Sequence, residues 1–76
     1  MAAYEIEFGR IGRSYPAPLR LEAEGAQEIA MAIHEFAKPF LASKHYDVDV
    51  DLEYGAGVIT AGWRPAGRFT VKEVAS

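Results

Sequence analysis

The sequence predicts an α+β fold: a small, mainly antiparallel sheet of four or five strands, ordered ββαβββ or βαβββ, with one long helix packed on one face. Three observations predict it. Hydrophobes alternate with polar residues in "AYEIEF" at 3–8 and in "DVDVDLEY" at 47–54, the two-residue period of half-buried strands. Over 26–42 the period lengthens to that of a helix. After residue 54, two Gly-containing stretches have the lengths that join strands as hairpins. With 76 residues the chain makes one domain. A chain of this size buries only about 60% of its unfolded surface, so its stability margin is small.

In the first strand Tyr4, Ile6 and Phe8 share one side, and Glu5 and Glu7 the other. Gly9 breaks the phase, because Ile11 falls on the opposite parity, and a β-bulge accounts for such a shift. "GRIGRSYPAP" at 9–18 holds two Gly and two Pro and reads as a loop. "LRLEA" then resumes alternation, with Leu19, Leu21 and Ala23 inward. From Ala26 to Leu41 an apolar stripe through Ile29, Ile33, Phe36, Ala37 and Phe40 defines the helix. Acids sit early (Glu24, Glu28) and cations late (Lys38, Lys44), as the helix dipole favours. The amide that Pro39 lacks would have bonded to Glu35 on the wet side, so a kink rather than a stop is expected there.

The last third predicts a three-stranded meander. Val48, Val50, Leu52 and Tyr54 share a face with Ile59, Ala61 and Trp63 only if an even-numbered loop joins them. Gly55-Ala56 as a two-residue turn meets that condition and pairs Leu52 with Ile59, Val50 with Ala61 and Val48 with Trp63. Joining Ala61 and Trp63 to Phe69 and Val71 requires an odd loop, which Pro65-Ala66-Gly67 supplies. On this register Asp47 faces Arg64, Asp51 faces Thr60, and Trp63 is a core anchor whose removal costs roughly 3–5 kcal/mol.

Composition excludes several classes of function. Without cysteine there are no disulfides and no thiolate metal sites. No apolar run approaches the roughly 20 residues of a membrane span. The acidic start "MAAYEIEFG" is unlike a signal peptide, so a cytoplasmic location is expected. The net charge of −3 opposes general affinity for nucleic acid. Asn is absent while Ala, Gly and Arg are plentiful, the bias of GC-rich coding, as in an actinobacterium or its phages.

The row Asp47, Asp49, Asp51 and Glu53 offers four carboxylates, spaced about 7 Å apart on a strand. A Ca²⁺ loop needs oxygens converging around a tight turn, and an acid/base pair needs one desolvated member. A flat strand supplies neither. His45 or His34 beside Asp47 is too little for a transition metal, so no metal, cofactor or catalytic residue is expected. The row reads as a solvated strand face, or as an acidic phosphate mimic.

Arg10, Arg13 and Tyr15 lie on the first loop, and Arg64 and Arg68 flank the last turn. They make one basic patch if both turns lie at the same end of the sheet. "GRIGRSY" matches neither the P-loop spacing nor GxGxxG. Gly9 and Gly12 read as bulge and turn residues, or as part of a phosphate-binding nest. A single helix covers only one face, leaving Val58, Thr60, Gly62, Thr70 and Val74 on an open, half-apolar side. The chain is therefore expected to be a non-enzymatic binding module acting on a protein partner or a second copy of itself. The open face and an edge would serve as its surface, with Arg10, Arg13, Tyr15, Arg64 and Arg68 as recognition groups. The alternative is weak nucleic-acid binding by the same arginines.

Overall fold

Alternation becomes sheet at both ends of the chain in the computed structural model, which describes residues 2–41 and 45–74. Five strands form: β1 (Ala2–Ile11), β2 (Leu19–Ala23), β3 (Asp47–Asp51), β4 (Ala56–Ala61) and β5 (Arg64–Val74). Their spatial order is β2-β1-β5-β4-β3 and every neighbouring pair is antiparallel. Helix α1 (Ala26–Ala37) links the two edge strands, β2 and β3, and the meander then returns inward to pair β5 with β1. The ββαβββ order is therefore realised with five strands.

The predicted bulge is present. Phe8 pairs with Phe69 and Ile11 with Gly67, so Gly9 and Arg10 together face Arg68. The shift returns Ile11 to the core, where it is fully buried. It also lengthens β1 beyond residue 8, leaving a shorter loop than 9–18 before Leu19.

The helical stripe packs as its period requires. Ile29, Ile33 and Ala37 are buried under the sheet, with Ile6, Ile59, Phe69 and Val71 facing them. Burying a side chain of this size contributes about 1.5–3 kcal/mol. Phe36 stacks on Phe8 at 5.0 Å between centroids, and Phe69 and Phe40 flank that pair at 5.9 and 5.6 Å. At Pro39 the α-helix gives way to a 3₁₀ turn, Lys38–Phe40, that continues the same stripe. The amide lost at Pro39 thus tightens the winding rather than ending the element. The element ends at Phe40, short of the expected Leu41, which is already extended with φ −114° and ψ 132°; residue 42 lies outside the described residues.

The meander keeps its predicted parity with both loops displaced. Asp51 pairs with Ala56, Val50 with Gly57 and Val48 with Ile59. The turn is therefore the four residues 52–55 rather than Gly55-Ala56. Asp51 sets it: its carbonyl accepts the Gly55 N–H at 2.9 Å and its Oδ1 accepts the Tyr54 N–H at 3.0 Å. Leu52 and Tyr54 consequently stand in the turn, exposed, and not in the core.

The second hairpin closes at Gly62-Trp63, where Ala61 pairs with Arg64. Gly62 has φ +67°, as the first central residue of a type II′ turn demands. Pro65 to Gly67 belong to β5, and the register there shifts by one residue. A two-residue turn plus a one-residue bulge has the parity of the three-residue loop, so Ile59, Phe69 and Val71 still share the core face. Trp63 does not; it is wholly exposed. Asp47 accordingly pairs with Thr60 rather than Arg64, and Asp51 with Ala56 rather than Thr60.

Candidate functional site

Antiparallel pairing of β1 with β5 carries the β1–β2 loop and the β4–β5 turn to the same end of the sheet. Ile11 pairs with Gly67 across the two strands. The Gly12 N–H then donates to the Ala66 carbonyl at 3.1 Å, tying the loop to β5. The condition for a single basic patch is met.

Arg10 lies in the β1 bulge and Arg68 opposite it on β5, both exposed. They line a common open cavity of about 540 Å³, floored by Gly9, Gly12, Ala66 and Gly67. The Gly12 carbonyl accepts the Arg10 Nε–H at 2.7 Å. That contact fixes the direction of the side chain and leaves its terminal amino groups unengaged. Arg13, Tyr15 and Arg64 stand at the same end, outside the cavity, with Tyr15 78% exposed.

The missing member of the patch is Trp63, 100% exposed beside Arg64 at the turn tip. The signal for it was the Gly-X pair at 62–63, which suits a II′ turn. Its aromatic side chain at a core-parity position concealed that signal.

Ion pairing sharpens the contrast between the two ends of the molecule. Arg20 pairs with Glu5 at 3.0 Å and Lys38 with Glu35 at 3.4 Å. Among the described residues, Arg10, Arg13, Arg64 and Arg68 take part in no ion pair. From Phe8 to Leu21 and from Tyr54 to Lys72 the chain carries six cations and no acid. Four of the six, Arg10, Arg13, Arg64 and Arg68, lie at the loop-and-turn end, while Arg20 and Lys72 flank Glu5 further along the sheet, in a chain of net charge −3.

The acidic row is confined to the edge. Asp47, Asp49 and Asp51 are exposed along β3, opposite Thr60, Val58 and Ala56, and Glu53 is exposed in the turn. Charged side chains along an open edge discourage pairing with another strand. Among the described residues no three His, Cys, Asp or Glu side chains group closely enough to hold a metal ion. No helix among them is long and apolar enough to cross a membrane.

Tyr46, just before β3, is a polar anchor that sequence periodicity does not reveal. Its ring stacks on His34 at 4.2 Å and its hydroxyl donates to the His34 carbonyl, fastening β3 to α1. Burial raises the phenol above its ordinary range, with Lys38 opposing the shift and Glu35 adding to it.

Comparison with protein-family models, with curated proteins and with solved structures gives no match for this chain.

Proposed function

We propose that this chain is a small non-enzymatic binding module that acts by protein–protein contact, in an accessory or regulatory role within the cytoplasm. Its recognition surface is the end that carries Arg10, Arg13, Tyr15, Trp63, Arg64 and Arg68, continuous with the open face of the sheet. The coding bias fits a phage or mobile-element origin. The observation that carries this reading is Trp63, fully in water on a two-residue turn beside arginines that form no ion pair among the described residues. Trp, Tyr and Arg are the side chains that dominate binding hot spots, because they bury much area or make several directed hydrogen bonds. A solvated indole has no stabilising role in the free fold, so its contribution comes on contact.

Affinity capture from cells of the source organism tests this, with wild type and the Trp63→Ala/Arg64→Ala double variant as baits. Both side chains are exposed, so the variant folds. Specific capture by wild type, lost in the variant, is expected; equal capture by both would sink the reading. Light scattering coupled to gel filtration shows whether the partner is a second copy.

One observation favours a second reading. Exposed rings at Tyr15 and Trp63 beside four arginines also suit single-stranded nucleic acid, whose bases stack on aromatics. Fluorescence anisotropy with labelled single- and double-stranded oligonucleotides at two salt concentrations decides it. Binding that falls steeply with salt and disappears in Arg10→Ala/Arg13→Ala supports nucleic acid. No binding at low salt ends that reading.

A further inference from the structure

Building on the recognition end described above, we propose that the cavity between β1 and β5 is a binding site for a phosphate group, held between Arg10 and Arg68. The β1 bulge brings Arg10 alongside Arg68 of the neighbouring strand, and both side chains line the cavity. Like charges placed directly opposite in a sheet are destabilising. Neither has an ion-pair partner among the described residues. An anion held by both guanidinium groups offsets their mutual repulsion.

Phosphate fits better than carboxylate. One arginine fork satisfies a planar carboxylate through two parallel hydrogen bonds. Two forks approaching from adjacent strands suit a tetrahedral anion that offers oxygens in several directions. Arg10 is already oriented by the Gly12 carbonyl, which lowers the entropy lost on binding. Gly9, Gly12 and Gly67 contribute backbone rather than side chains to the cavity wall.

Size extends the assignment to the rest of the ligand. The cavity is open to solvent and, at about 540 Å³, has room for more than one phosphate. An adjoining groove of about 350 Å³ shares Gly9 and Arg68 and is walled by Ala56, Gly57 and Thr70. It has room for the organic part of a phosphate ester. Glu7 also lines that groove and disfavours a second phosphate there. The ligand class is therefore a monophosphate ester, free or as the end of a longer chain.

Thermal unfolding of the full chain, at constant ionic strength balanced with chloride, tests the site. The probes are inorganic phosphate, a nucleoside monophosphate, and single-stranded oligonucleotides with and without a 5′-phosphate. A saturable rise in Tm with phosphate is expected, and a half-saturating concentration at least tenfold higher in Arg10→Gln and Arg68→Gln. Tighter binding of the monophosphate than of inorganic phosphate places the ester in the groove. Dependence on the 5′-phosphate of the oligonucleotide identifies a polymer end as the source. Without ligand, Arg68→Gln should melt at or above the wild-type temperature, since a like-charge contact is removed. A rise no greater than with chloride, or equal half-saturation in both variants, overturns the proposal. So does marked destabilisation of ligand-free Arg68→Gln. Partner capture is measured with the Trp63→Ala/Arg64→Ala bait and the Tm response to phosphate with Arg10→Gln and Arg68→Gln, so failure of the recognition surface and failure of the phosphate site are read by different measurements.

Discussion

Trp63 stands fully in water at the tip of a turn, so its removal takes nothing from the core. Trp63→Ala should change stability by no more than about 0.5 kcal/mol in denaturant titration, against roughly 3–5 kcal/mol for a buried tryptophan. Tyr46 behaves in the opposite way. Its hydroxyl bonds to the His34 carbonyl, and Tyr46→Phe should cost about 0.5–1.5 kcal/mol at neutral pH. Because burial raises its pKa in the folded protein, the unfolded chain loses the phenolic proton first as pH rises. The native state then binds more protons than the unfolded state, so stability falls with rising pH. This contribution is complete below the ordinary tyrosine value of about 10 and disappears through the higher folded value. Denaturant titrations between pH 8 and 11 should show a decline that is shallower in Tyr46→Phe; equal slopes would contradict the assignment.

At the scale of elements, parity was legible and loop position was not. An alternating strand states which residues share a face, so Val48 and Val50 were correctly matched with Ile59, and Ile59 with Phe69 and Val71. Parity is blind to displacement by an even number, however, and two-residue and four-residue turns satisfy it equally. Local bonds from Asp51 and the positive φ of Gly55 and Gly62 decide the matter. Phe69 adds a tertiary reason, since its ring occupies the space a side chain at Gly57 would need. A methyl there overlaps the ring and the Asp49 carbonyl oxygen. Gly57→Ala should therefore destabilise by about 1–3 kcal/mol or more, although alanine has the better intrinsic fit to a strand. A stability equal to wild type would show that Phe69 does not lie over Gly57. The arginines of the candidate site were legible as residue types; their convergence was not, because it depends on β5 returning to pair with β1.

For the molecule as a whole, a core led by five fully buried isoleucines holds a chain that measures 34 × 20 × 19 Å. Net stability for a domain of this size is on the order of 5 kcal/mol. Ile59→Ala, at the centre of that core, should cost about 2–5 kcal/mol and leave a large unfolded fraction at room temperature by circular dichroism. The binding end, by contrast, is built from side chains outside the core, so its arginines and Trp63 can change without loss of the fold. Its charge opposes that of the chain: net −3 overall, yet with four arginines at one end that take part in no ion pair among the described residues. Trp63, the single tryptophan, reports directly on that end. The most direct measurement is fluorescence quenching at low ionic strength, comparing iodide with neutral acrylamide and with caesium. An exposed indole in a positive field should emit like free tryptophan and be quenched more strongly by iodide than by caesium. Added salt should remove the preference, because screening acts over about 8 Å at physiological ionic strength. Blue-shifted emission resistant to acrylamide, or stronger quenching by caesium, would contradict a basic, solvent-facing recognition end.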